Sequence, residues 1–311
     1  MKKIDLQLVL VLMTFVFGIG MVIYFDRINQ ENSQNQQTKE NKNNFKVIQP
    51  QENEPLRNPI DLAVIKTEKI FVTDSDQHRI QVFNHQGDVL YRFGEYGSGE
   101  GQLNYPVGIV LDTEKNVYIA ELYNQRISVF SETGTYKYAI SFEHTVPTAI
   151  AIDQNNHLYV IDKADQTVKK LTTKGEVLKT FGGLGNSNGK FQYPLGLAVA
   201  EDGTIYVSDT GNNRIQVFNQ TGKLIEVVKV PMGPPSGIAV DAQNQIYFTE
   251  PTNGQVMNIT QKEKSVEQVF GAGEIKDESL FFPEGIEIVG NLLYCTDKGT
   301  NRVIIYKLTK K

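Results

Sequence analysis

The chain has 311 residues, 40% of them hydrophobic and 22% charged, which is enough apolar side chain for a buried core and excludes wholesale disorder. Thirty-one basic against 36 acidic side chains give a net charge of −5, and the balance argues against a body built to grip phosphate backbones. A single cysteine, Cys295, excludes an internal disulfide framework and a cysteine-built zinc cluster, and four histidines allow at most one modest His-rich metal site.

Residues 1–5 carry Lys2 and Lys3 and precede an apolar run from Leu6 to Tyr24 that only Gln7 and Thr14 interrupt. Nineteen helical residues extend about 28 Å, close to the ~30 Å hydrocarbon core of a bilayer. The leading lysines orient the short tail to the cytoplasm. Residues 6–25 are therefore expected to be a single transmembrane signal-anchor helix, with the remainder extracytoplasmic at the cell membrane. The competing reading is a cleaved secretory signal ending near Gly18-Ile19-Gly20. The apolar run continues past that triplet to Phe25 and exceeds the ~7–15 residues of a typical signal core. Residues 26–44 are almost entirely polar and read as a solvated tether whose flexible part, Asn29 to Asn44, reaches roughly 22 Å.

From residue 45 to 311 one unit recurs six times: a proline, a short apolar strand, a polar turn, a strand closing on an acid, a loop, and further strands. The closing acids are Asp74, Glu121, Asp162, Asp209, Glu250 and Asp297, spaced 47, 41, 47, 41 and 47 residues apart. The leading prolines are Pro59, Pro106, Pro147, Pro194, Pro235 and Pro283. In the fourth copy the expected strands are Gly196–Ala200, Thr204–Ser208, Arg214–Asn219 and Lys223–Val228, separated by Gly- and Asn-rich turns. Runs this short are strands rather than helices. Four-stranded units of this length closing into a ring make an all-β, six-bladed β-propeller. Phe71, Tyr118, Tyr159, Tyr206, Tyr247 and Tyr294 share one register and are expected between blades.

The sixth unit runs out of chain after three strands. Phe45-Lys46-Val47-Ile48, an apolar patch just after the tether, is expected to pair outside Arg302–Lys307 and close the ring. Alternate blades recur every 88 residues, because the connectors after Phe93, Phe181 and Phe270 are long. These three connectors are expected on one face. The acid and an arginine five residues later occur in four units, as Asp74/Arg79, Glu121/Arg126, Asp209/Arg214 and Asp297/Arg302. A fourfold pair does not serve one active site, and a loop-locking ion pair is the expectation.

The run Pro194-Leu195-Gly196-Leu197-Ala198-Val199, followed by Ile205-Tyr206-Val207-Ser208-Asp209-Thr210-Gly211-Asn212-Asn213-Arg214-Ile215-Gln216-Val217-Phe218, resembles NHL repeats. So does Phe181-Gly182-Gly183 leading to Gly189-Lys190-Phe191-Gln192-Tyr193-Pro194. The third and fifth copies depart, with Thr167 and Gln255 where the others have arginine. The resemblance implies a six-bladed propeller; relatives include peptidyl-amidating lyases, lactonases and antibiotic-cleaving lyases, and eukaryotic RNA binders. The amidating lyases place metal-binding histidines just after the repeat proline, and none of the six such positions here is histidine.

Those positions lead into the innermost strands. Most are small or apolar; Asp61 and Glu284 are the exceptions, in blades that adjoin when the ring closes. Two carboxylates there suit a basic ligand group or a divalent cation such as Ca²⁺, although no cofactor is required and no full metal-ligand set is legible. Tyr105, Tyr193 and Phe282, each directly before a proline on a long connector, place aromatics on the same face, and His144 in a short connector is expected near the mouth. The net-negative surface is unsuited to nucleic acid. The sequence thus points to a membrane-anchored scaffold or sensor that binds a protein, peptide or glycan, with a metal-dependent lyase or lactonase as the alternative.

Overall fold

The computed structural model describes residues 44–48, 55–66, 68–260, 265–271 and 279–308. One compact unit is Lys46–Lys311; the other, Met1–Phe45, falls almost wholly outside the described residues, as do the expected membrane helix and tether. Among the described residues no helix is long and apolar enough to cross a membrane.

Strand β1 (Phe45–Ile48) comes first. Blade 1 is β2 (Pro59–Ile65), β3 (Lys69–Asp74), β4 (Arg79–Phe83) and β5 (Val89–Phe93). Blade 2 is β6 (Pro106–Leu111), β7 (Val117–Glu121), β8 (Arg126–Phe130) and β9 (Tyr136–Ser141). Blade 3 is β10 (Pro147–Ile152), β11 (Leu158–Asp162), β12 (Thr167–Leu171) and β13 (Val177–Gly182). Blade 4 is β14 (Gly196–Val199), β15 (Ile205–Asp209), β16 (Arg214–Phe218) and β17 (Leu224–Lys229). Blade 5 is β18 (Ile238–Val240), β19 (Ile246–Glu250), β20 (Gln255–Ile259) and β21 (Val266–Gly271). Blade 6 is β22 (Pro283–Val289), β23 (Leu292–Asp297) and β24 (Arg302–Lys307), completed by β1 on its outer edge in the order β1-β24-β23-β22. The all-β, six-bladed propeller of four-stranded blades is therefore as expected, and its last sheet is built from both ends of the described chain.

The innermost strands β2, β6, β10, β14, β18 and β22 touch in sequence and β22 touches β2, which closes the ring. Backbones approach so closely there that glycine is required at specific points. A Cβ on Gly196 would lie 2.1 Å from the Ser236 carbonyl, and one on Gly237 2.1 Å from that of Glu284. Between the blades, apolar side chains fill the gap. Phe71, Tyr118, Tyr159, Tyr206, Tyr247 and Tyr294 are all buried. The aromatic pairs Phe93–Phe130, Phe181–Phe218 and Phe270–Tyr306, with centroids 4.9, 4.9 and 4.6 Å apart, follow the 88-residue period, with Phe270 one residue late. Ile48 of β1 is buried against Leu56, Val303 and Ile305, so the closing strand contributes to the core between blades 6 and 1.

Antiparallel order places each leading proline, each loop between the second and third strands and the described parts of the long connectors on one face. Four acids tie these parts together. Each accepts an N–H from the segment before its own blade: Asp74 from Arg57 (2.6 Å), Glu121 from Asn104 (2.7 Å), Asp209 from Gln192 (2.7 Å) and Asp297 from Phe281 (2.8 Å). Each also accepts from its arginine, at 2.7, 2.6, 2.6 and 3.0 Å for Arg79, Arg126, Arg214 and Arg302. The guanidinium then donates onward to connector carbonyls, Arg126 to Ser98 and Gln102, Arg214 to Ser187 and Lys190, and Arg302 to Ser279. This explains the two departures. Blades 3 and 5 follow short connectors, so no carbonyls await a guanidinium. Asp162 takes Lys169 instead, at 2.6 Å, and Glu250 accepts the N–H groups of Thr252 and Asn253.

Candidate functional site

The six inner strands enclose a central cavity of about 570 Å³. Its wall is largely aliphatic, and its carboxylates all belong to blades 6 and 1: Asp61, Glu284 and Glu287. No histidine lines it. Asp61 stands two residues after its proline, where four other blades have glycine, and its carboxylate crosses to blade 2 to accept the Ile109 N–H at 3.0 Å. Burial is the main reason that its carboxyl is pushed up to about 7, with repulsion from Glu284 adding to it. Glu284 accepts from Ser236 Oγ at 2.9 Å and lies 3.6 Å from Lys298 Nζ; burial raises its carboxyl above the usual range and Lys298 opposes the rise.

Glu287 was not singled out in the sequence, yet a signal was there. The fourth residue after each proline reads Ala63, Val110, Ala151, Ala198, Ala239 and then Glu287. Burial, reinforced by the charge of Asp61, pushes its carboxyl up to about 8. Its Oε2 is buried without a hydrogen-bond partner among the described residues. Asp61 and Glu284 thus lie within the channel wall rather than on a solvated rim, and Asp61 and Glu287 form an acidic pair across the closure of the ring. Among the described residues no group of three or more His, Cys, Asp and Glu is arranged to hold a metal ion, so the donor set does not fit a Ca²⁺ site.

Around the mouth, Tyr105 and Tyr193 border the channel, while Phe282 lines an adjoining groove with Arg57 and Lys298. Tyr105, Tyr193 and Phe282 have φ of +58°, +48° and +75°, unusual for bulky side chains and costing about 1–3 kcal/mol each. Side chains of the preceding blade hold two of them there. The Tyr105 N–H donates to His78 Nδ1 (3.0 Å) and the Tyr193 N–H to Gln166 Oε1 (2.6 Å). Asn58, at φ +58°, is held likewise by Asn301 (2.9 Å). Tyr105 is half-buried and accepts from Asn58 at 2.7 Å, whereas Tyr193 and Phe282 are exposed and Lys298 lies over the Phe282 ring. His144 is exposed in the short connector before Pro147 and does not reach the channel.

Ring, repeats and channel define an NHL-repeat β-propeller. Residues 28–274 match the model of the virginiamycin B lyase family, and the chain belongs to that family. Solved structures of the same fold include a streptogramin B lyase, at TM-score 0.61 and 16% identity over 85% of this chain and 97% of that one. Another is a catalytically inactive His-to-Ala variant of virginiamycin B lyase from Staphylococcus aureus with quinupristin, at TM-score 0.60 and 17% identity over 81% and 80%. Sequence relatives include the brain tumor protein of Drosophila melanogaster, 26% identical over 43% of this chain and 13% of that protein. The mouse E3 ubiquitin-protein ligase NHLRC1 is 27% identical over 55% of this chain and 45% of that protein. The chain thus spans less than half the length of these two relatives.

Proposed function

We propose that this propeller is a binding module, held at the extracytoplasmic surface of a membrane by its N-terminal helix, whose connector face docks a protein or peptide partner. The observation that carries the reading is the concentration of exposed large apolar side chains on that face. Tyr96, Leu184, Tyr193, Phe281 and Phe282 all lie on the connectors and are 45–73% exposed. The arginine network and the left-handed residues before the prolines hold them on a rigid frame, so docking there costs little ordering entropy. Relatives that include E3 ubiquitin-protein ligases agree with a protein-recognition role. For the anchor, the support is the Leu6–Tyr24 run behind Lys2 and Lys3.

The test combines topology and partner capture. Protease added to intact cells expressing a C-terminally tagged chain should remove the tag, and a fully protected tag would overturn the location. Photo-cross-linkers placed at Tyr96 and Leu184 should trap one defined partner, lost in a Tyr193→Ser/Phe281→Ser/Phe282→Ser variant of unchanged melting temperature. Identical products from both would remove the docking surface.

Family membership favours a second reading, an extracytoplasmic lyase. In the Staphylococcus aureus enzyme a His-to-Ala change accompanies loss of catalysis, whereas no histidine lines this channel. Incubation with quinupristin followed by chromatography and mass spectrometry separates the two; ring opening would replace the binding reading.

A further inference from the structure

Most buried carboxylates of this molecule face a cation, while Glu250 is satisfied instead by the N–H groups of Thr252 and Asn253. Asp74, Glu121, Asp162, Asp209 and Asp297 each face a lysine or arginine within 3.0 Å, and Asp153 faces His157 and Lys170. Asp61 and Glu287 have no ion-pair partner among the described residues. The lysines lining the channel are Lys163 and Lys298, and Lys298 is engaged with Glu284 and the Phe282 ring. Both acids also break the sixfold pattern of the ring, Asp61 at a position otherwise glycine or alanine, Glu287 at one otherwise alanine or valine. Two carboxyl groups built into adjacent blades without a cation, both lining one cavity and one of them carrying a buried oxygen with no hydrogen-bond partner among the described residues, make a receptor for a positive charge.

We propose that the central channel binds a primary ammonium group on an aliphatic chain, the cation held between Asp61 and Glu287 and the hydrocarbon against the opposite wall. Two carboxylates suit the three donors of an ammonium, whereas a hard divalent ion demands six or more oxygens that this wall lacks. The opposite wall, including Ala149, Ala151, Leu197, Ala198 and Ile238, offers hydrocarbon contact, and the charged side chain on that side, Lys163, is exposed beyond the end of β11. The cavity of about 570 Å³ accommodates a lysine-sized chain. The ammonium belongs to a free amine or to a lysine side chain of a peptide entering through the mouth. This site is separate from docking on the connector face, and its failure leaves that reading standing.

The test is calorimetric titration of the full-length protein at pH 7 with n-butylamine and with N-acetyl-lysine methylamide. Butanol, N-acetyl-norleucine methylamide and CaCl₂ serve as controls. Both charged probes, or the lysine probe alone if the mouth selects peptide, should bind at least tenfold more tightly than their uncharged counterparts. Because both acids are partly protonated in the free protein, binding should release protons and its heat should vary with the ionisation enthalpy of the buffer. Glu287→Ala, which installs the residue of four other blades and so is expected to fold, should weaken binding at least tenfold. Equal affinity for charged and uncharged probes, full binding by Glu287→Ala, or tight Ca²⁺ binding with no amine binding would each overturn the proposal.

Discussion

At the residue scale, the arginines act through what they bridge. Arg214 is nearly buried, donates to Asp209 at 2.6 Å and continues to Ser187 and Lys190. Removing one partner of a buried ion pair strands the other, at about 3–5 kcal/mol. Arg214→Ala should lower stability by that order in denaturant unfolding, and Arg214→Lys should recover only part, because an ammonium lacks the planar fork that reaches both carbonyls. Thr167→Arg in blade 3 should gain nothing, since the short connector there offers no carbonyls to bridge. A change below 1 kcal/mol for Arg214→Ala would refute the bridging role. His78 makes a parallel case. Its Nδ1 accepts the Tyr105 N–H, as Gln166 Oε1 accepts that of Tyr193. His78→Gln should therefore melt within a degree or two of the parent, while His78→Ala leaves a partly buried N–H unpaired and should cost about 1–3 kcal/mol.

At the element scale, β1 decides whether the ring is sealed. Ile48 is buried against blades 6 and 1, and a Cβ on Gly87 of the neighbouring turn would sit 3.6 Å from it. Ile48→Ala should cost about 2–4 kcal/mol, and each kcal/mol is worth about 2–4 °C in a domain of this size. Deleting residues 45–48 should lower the melting temperature further and expose the β24 edge, visible as concentration-dependent aggregation; an unchanged melt would show that β1 is dispensable. This strand was legible because an apolar patch after a polar tether has no other use in a chain one strand short. Strand ends were less legible. The second strand of blade 4 runs Ile205–Asp209 rather than Thr204–Ser208, because Asp209 continues the ladder opposite Arg214 while its carboxylate turns to the connector. Turn residues mark where a ladder stops only when no side chain extends it.

At the scale of the whole molecule, the ring brings together residues that sequence distance conceals. Asp61 and Glu284 stood out because they fall within two residues of the repeat proline, while Glu287 lies further along its strand, where a single glutamate reads as an ordinary solvent-facing alternation. Only closure of blade 6 on blade 1 puts Glu287 beside Asp61, 226 residues away in the chain. The pairing has a consequence for stability. Asp61 is raised to about 7 and Glu287 to about 8, against roughly 4 for both in an unfolded chain. Between those limits the native state holds protons that the unfolded state has released. Folding is therefore favoured at the acidic end of the interval and loses support as pH rises, with a slope of up to about 1.4 kcal/mol per pH unit for each group until its folded pKa is passed. Other carboxylates, such as Asp153, lie below their usual value and act in the opposite sense, but over lower pH. Unfolding free energy measured from pH 5 to 8.5 should thus fall with pH in the parent, and Asp61→Asn/Glu287→Gln, which cannot ionise, should flatten that fall and be the more stable protein at pH 8. Parallel pH profiles for the two proteins would show that the carboxylates are well solvated from the channel and carry no strain into the fold.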